Sequence, residues 1–139
     1  EIGVRLVGSE MCIRDRAPFV TGEKLKEGLD LLKKHNALEA MPVVQFSYPP
    51  QRAFVINSDN QMEYKEKQYI TARSQDLRKE YHDAGQFYFY NISQYLKING
   101  KIETGIVPII VSEMEVQDID NEDDWKLAEL KYSLLKRKE

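Results

Sequence analysis

An apolar run from Ile106 to Val111 gives way to VQDIDNEDDW, Val116 to Trp125, which sets five acidic side chains between a strand-like segment and a helix-like one. Few arrangements satisfy that order, because the run needs a buried strand position and the residues after it need solvent. In extended backbone successive side chains alternate faces, so Asp118 and Asp120 are expected on one side and Ile119 on the other, toward a core. Asn121 then reads as a helix cap completed by Asp124. Glu122, Asp123 and Asp124 fall in the first turn, where the helix dipole favours negative charge. Beyond Trp125, Leu127, Leu130 and Leu134 recur at helical spacing with Ala128 and Leu135 beside them, and Lys136, Arg137 and Lys138 form a basic end. Glu122 to Asp124 therefore have a structural reason to be acidic, and Asp118 and Asp120 have a weaker one. Two carboxylates aimed at one spot suit a hard dication such as Mg²⁺, which takes oxygen ligands, commonly carboxylates together with phosphates and water. Alone the pair is an unspecific signal, because acidic surface turns are common. An EF-hand loop counted from Asp118 is excluded, since its sixth position requires glycine and holds Asp123, and a strand precedes it where a helix belongs.

Composition matters at the amino-terminal end. The only cysteine, Cys12, lies in EIGVRLVGSEMCIRDR, residues 1–16. Within it VGSEMCIRDR resembles the in-frame translation of a transposon-type sequencing adapter, and EIGVRL fits the continuation of that adapter. The expectation is that residues 1–16 are non-native, that the natural chain starts at Ala17 and that an N-terminal portion is missing. The remainder then has no cysteine, which excludes disulfides, thiolate metal sites and a cysteine nucleophile. Arg5, Arg14 and Arg16 balance Glu1, Glu10 and Asp15, so the net charge of −3 is unaffected. A mildly acidic chain with no basic cluster besides the Lys136 to Lys138 tail argues against nucleic acid and anionic membranes as partners. No apolar run approaches the ~20 residues of a membrane span, so a cytoplasmic protein is expected.

Periodicity supplies the other elements. Thr21 caps a helix running to about His35, with Leu25, Leu29 and Leu32 as its buried stripe, and Met41 to Phe46 reads as a buried strand. Arg52 to Asn57 and Gln61 to Lys65 flank the polar turn Ser58-Asp59-Asn60 as a hairpin, its apolar positions assigned to Ala53, Val55, Met62 and Tyr64. Such an arm is too small to be stable alone, and a second subunit is the expected partner. A loop, YITARSQDLRKEYHDAG, leads to an aromatic strand at Gln86 to Tyr90. A short helix from Asn91 to about Lys97 follows, and then a strand at Ile106 to Ser112, where Pro108 argues for an edge. Strands separated by helices indicate an α/β domain with the hairpin inserted.

Four stretches, APFVTGEKLKEGLDLL, FSYPPQRAFVIN, TARSQDLRKEYHDAGQFYFY and VQDIDNEDDWKLAELKYSLLK, resemble the nucleotide-activating enzymes of nonulosonic acids. This is the CMP-sialate synthetase family, and within it the pseudaminic acid cytidylyltransferases are the most similar. Where enzymes of ordinary sialic acid tend to carry arginine-proline-asparagine-glycine, this chain has His82-Asp83-Ala84-Gly85. The resemblance therefore favours pseudaminate over sialate or legionaminate. It implies a doubly wound, mainly parallel sheet of the nucleotide-diphospho-sugar transferase type, of which residues 17–139 are the C-terminal part and residues 48–80 a hairpin dimerisation arm. It implies transfer of CMP from CTP to a nine-carbon acidic sugar, with Mg²⁺ held by Asp118 and Asp120 as the catalytic pair. Arg73, Gln75, Arg52 and His82 are implied on the sugar side, and a planar guanidinium suits a carboxylate because it can grip both oxygens. His82 replaces a family arginine. The family's glycine-containing basic phosphate loop has no counterpart here, so this polypeptide alone is expected to be inactive. A non-catalytic α/β assembly module is the rival from another class.

Overall fold

In the computed structural model of the chain the described residues are 4–6 and 9–137. Residues 1–3 and 7–8 of the N-terminal segment, and Lys138 of the expected basic end, lie outside them. The strands and α-helices are β1 (Val4–Leu6), β2 (Ser9–Ile13), α1 (Gly22–Lys34), β3 (Glu39–Gln45), β4 (Phe54–Ile56), β5 (Met62–Tyr64), β6 (Tyr81–Asp83), β7 (Phe87–Asn91), α2 (Ile92–Lys97), β8 (Ile106–Ile110) and α3 (Glu122–Lys136). They fall into two compact units, one made of Glu1–Val44 with Asp83–Glu139 and the other of Gln45–His82.

In the first unit β2 lies between β1 and β7, β7 between β2 and β3, and β8 pairs with β3. The pairs β1 with β2, β2 with β7 and β7 with β3 run antiparallel, while β3 and β8 run parallel with Ala40 opposite Val107 and Pro42 opposite Ile109. The expected mainly parallel sheet is thus corrected to a mixed one. The physical reason is β7, which inserts antiparallel between β2 and β3 and prevents the two strands flanking α1 from becoming parallel neighbours. Phe87, Phe89, Ala40, Val44, Ile109, Val111 and Leu32 form the buried core.

Helix α1 follows its sequence closely. Thr21 Oγ1 accepts from the Lys24 N–H at 3.3 Å, Leu32 is buried, and Leu25, Leu29 and Leu31 pack against the core. Its central position is a glycine because two rings leave no room for more: a Cβ on Gly28 would stand 3.0 Å from Phe89 Cδ2 and 3.1 Å from Phe87 Cε2. Helix α3 departs from its sequence reading. Its cap forms as expected, with Asn121 Oδ1 accepting from the N–H groups of Asp123 and Asp124 at 2.9 and 3.0 Å. The position it buries, however, is Ala128, and the stripe of Leu127, Leu130 and Leu134 is exposed.

The second unit holds the hairpin, where β4 and β5 pair antiparallel with Phe54 opposite Tyr64, Val55 opposite Glu63 and Ile56 opposite Met62. Directly opposed residues share a face, so Phe54 and Ile56, and not Ala53 and Val55, join Met62 and Tyr64. Phe54 and Tyr64 lie with ring centroids 4.4 Å apart. The turn is closed by Asn57, whose Oδ1 accepts from the N–H groups of Asp59 and Gln61 at 3.1 and 2.9 Å. Gln51, buried at 6% exposure, ties the unit together by donating from Nε2 to the Arg78 carbonyl at 2.9 Å and to Glu80 Oε1 at 2.7 Å.

Candidate functional site

The acidic junction is built from β8 outward. The Val111 N–H donates to the Val43 carbonyl at 3.0 Å, continuing the parallel ladder for one more residue. Ser112 then caps a 3-10 turn at Glu113–Glu115, its N–H donating to Glu115 Oε2 at 2.9 Å. Burial alone would push the Glu115 carboxyl up, but the hydrogen bonds from Ser112 and the charge of Lys24 hold it below its ordinary value. This turn separates the strand from the acidic pair, which the sequence reading had placed directly at the strand's end.

Two side chains fix the backbone there. Gln86, 3% exposed, donates from Nε2 to the Glu115 carbonyl, and Lys131 Nζ reaches back from α3 to the carbonyls of Glu113 at 3.1 Å and Val116 at 2.6 Å. Neither was singled out from the sequence. A glutamine directly before an aromatic strand carries no local signal that it will be buried, and Lys131 looks like any exposed helix lysine. Beyond these anchors the expected alternation holds: Asp118 and Asp120 are exposed and Ile119 turns inward. Ile119 lines an apolar cavity of about 210 Å³ together with Phe19, Trp125, Ala128 and Tyr132. Asp124 Oδ2 accepts from the N–H groups of Asp120 at 3.1 Å and Asn121 at 3.2 Å, so the second aspartate is held to the first turn of α3.

Both carboxylates already face cations. Asp118 Oδ2 lies 3.6 Å from Arg14 Nη2, and Asp120 Oδ1 accepts from Arg16 Nη1 at 2.7 Å. Arg14 belongs to a longer chain of contacts. Its guanidinium interacts with Tyr88, whose hydroxyl donates to Asp83 Oδ2 at 2.6 Å, while Asp83 Oδ1 accepts from the Gly85 N–H at 2.7 Å. Burial, and then the bond to Asp83, push the Tyr88 phenol up to about 12. Arg14 is likewise raised, first by Tyr88 and then by the charge of Asp118. Gly85 turns this elbow at φ +65°, a left-handed conformation that glycine adopts freely. Among the described residues no group of three or more His, Cys, Asp or Glu side chains converges to hold a metal. Oxygen donors of the Asp118 and Asp120 type fit Mg²⁺, which binds through one or two carboxylates when substrate phosphates and water supply the rest.

The remaining expected residues belong to the unit Gln45–His82. There Arg52 Nη1 donates to Ser74 Oγ at 3.3 Å, bringing Arg52 to the RSQDL stretch. Among the described residues the Arg52 Nε and Gln51 Oε1 atoms are buried with no hydrogen-bond partner. Arg73 is exposed, and its link to Asp76 runs through the backbone, the Asp76 N–H donating to the Arg73 carbonyl at 3.0 Å. Among the described residues no carboxylate pairs with it. Gln75 lines a cavity of about 240 Å³ with Phe46, Pro50, Ser74 and Arg78. His82 is exposed and tilts against Phe46 with ring centroids 4.9 Å apart.

No protein-family model matches the chain. It is similar to the pseudaminic acid cytidylyltransferases of two strains of Campylobacter jejuni subsp. jejuni, in each case 30% identical over 123 residues, which is 88% of this chain and 53% of the relative. It is also 28% identical over 109 residues to a Helicobacter pylori protein named pseudaminic acid cytidylyltransferase and UDP-2,4-diacetamido-2,4,6-trideoxy-beta-L-altropyranose hydrolase, covering 78% of this chain and 21% of that one. The chain spans about half the length of the Campylobacter relatives it matches.

Proposed function

We propose that this chain is the C-terminal part of a cytidylyltransferase that activates pseudaminic acid with CTP, releasing CMP-pseudaminate and pyrophosphate in the cytoplasm. The observation that carries the reading is the acidic junction, in a chain whose similar relatives carry the cytidylyltransferase name. Asp118 and Asp120 are both exposed, Ile119 is turned inward, and Gln86 and Lys131 clamp the backbone behind them. In the proposed reaction the anomeric hydroxyl of the sugar forms a bond to the α-phosphorus, the bond to pyrophosphate breaks so that pyrophosphate leaves with its electron pair, and the hydroxyl proton passes to solvent. Both reactants are anions, so the step needs positive charge at the phosphates and at the sugar carboxylate. Asp118 and Asp120 would hold Mg²⁺, which when bound neutralises phosphate charge. Arg73 and Arg52 offer guanidinium groups for the carboxylate, and Gln75 and His82 offer N–H donors to the sugar's other substituents. The exposed hairpin face of Phe54, Ile56 and Met62 is proposed as the contact of a homodimer.

The test uses an intact enzyme that contains this segment. The double variant Asp118→Asn with Asp120→Asn is expected to lose about 100-fold or more of Mg²⁺-dependent CMP-sugar formation while keeping its circular dichroism spectrum. Unchanged turnover would remove the pair from the chemistry.

A further inference from the structure

Gln51 and Arg52 are neighbours in the 3-10 turn Pro50–Arg52, and each reaches a different wall of one cavity. That cavity, about 240 Å³, is lined by Ser74 and Gln75 from one stretch of chain and by Arg78 and Glu80 from another. Arg52 Nη1 donates to Ser74 Oγ, while Gln51 Nε2 directs both of its hydrogens at the second stretch, to the Arg78 carbonyl and Glu80 Oε1. The Phe46 N–H holds the same stretch through the Glu80 carbonyl at 3.0 Å. Stability alone does not ask for a glutamine here. Its Oε1 is buried with no hydrogen-bond partner among the described residues, a cost that an apolar side chain of similar size would avoid. What the glutamine supplies is a fixed distance between the turn and residues 78–80.

We infer that Gln51 is a positioning residue for the sugar, holding residues 78–80 against the turn so that the cavity keeps its width before the sugar arrives. The inference rests on the reading of this unit as the sugar side of the enzyme. Arg78, Lys79 and Glu80 are all exposed, so few packing contacts restrain their stretch of chain. Without the Gln51 tie that wall has to be ordered when the sugar binds, and the ordering cost is subtracted from affinity. Gln51 acts through residues 78–80, and the cavity wall they form is what meets the sugar.

Steady-state kinetics of an intact enzyme containing this segment, with pseudaminic acid and CTP varied in turn, test it. Gln51→Leu is expected to raise KM for the sugar about threefold to tenfold while KM for CTP, kcat and the denaturant midpoint hold. Gln51→Glu sets a carboxylate against that of Glu80 and should raise the sugar KM at neutral pH. That rise should shrink in acid, where the protonated side chain again donates to Glu80, a pH dependence that a merely structural role does not produce. An unchanged sugar KM in both Gln51 variants, beside a raised one in Arg73→Gln, overturns the positioning role and leaves the sugar reading standing. An unchanged sugar KM in all three overturns both. A midpoint that falls while both KM values rise together makes Gln51 a residue of the fold only and overturns the inference.

Discussion

Glu39 is a carboxyl placed where a sheet has little water to offer it: it is 6% exposed and sits opposite Tyr90 in the β3 to β7 ladder. Burial raises it above the ordinary carboxylate range, with Asp83 adding to the rise and a hydrogen bond from Tyr90 opposing it. Between the unfolded and the raised folded value the native state holds more protons, so Glu39 favours folding in acid and costs stability as pH rises through that interval. Glu39→Gln should therefore raise the denaturant midpoint at neutral pH, and the gain should fade in acid, below the raised folded value, where the unaltered carboxyl is itself protonated. A gain of equal size at both pH values would show that charge is not the cause. Single residues were legible in the sequence where their chemistry is local. Thr21 and Asn121 cap the helices expected of them, and Asn91, expected to start a helix, caps it, because a cap is decided within three or four residues. Gln86 and Lys131 were not legible, since their roles depend on carbonyls brought near by distant parts of the chain.

At the level of elements, α1 shows how packing overrides propensity. Replacing a helical glycine with alanine ordinarily gains about 1 kcal/mol. At Gly28 the added methyl would press on Phe87 and Phe89, which are 0% and 2% exposed and have nowhere to move. Overpacking of this kind costs ~1–3 kcal/mol, so Gly28→Ala should lower stability, visible as a reduced midpoint in chemical denaturation. The hairpin illustrates the opposite limit. Both strands were recognisable from alternation, yet the face of β4 was assigned one residue out of register. An isolated alternating run with apolar residues at Ala53, Phe54, Val55 and Ile56 fits either phase, and only the pairing with β5 decides. The leucines of α3 misled for a related reason: periodicity shows that a stripe exists, while burial depends on what lies against it.

For the whole molecule, β3, β4, β5, β7 and β8 could be read as strands, β6 at Tyr81–Asp83 lies where a loop was expected, and strand order could not be read. Nothing in β7 announces that it will pair antiparallel with both β2 and β3, because its residues are apolar or aromatic on both faces. The hairpin's apolar face carries the prediction that belongs to this scale. Ile56 and Met62 oppose each other and are 69% and 70% exposed. Ile56→Lys with Met62→Glu substitutes an oppositely charged cross-strand pair, so the hairpin should persist while self-association is lost. Sedimentation velocity should show the unaltered chain dimerising and the variant monomeric; a unaltered chain that stays monomeric would end the dimer proposal.

The pairing of β3 with β8 also governs timing. The two strands meet only after Gln45–His82, β7 and α2 have been synthesised between them, and closing so long a connection exacts an entropy cost before any contact rewards it. Val111, which extends that ladder toward the acidic turn, should therefore gain protection from deuterium late in refolding, after the amides of α1, whose bonds are all local. A catalyst assembled on such a strand would acquire its chemistry as the last act of becoming folded.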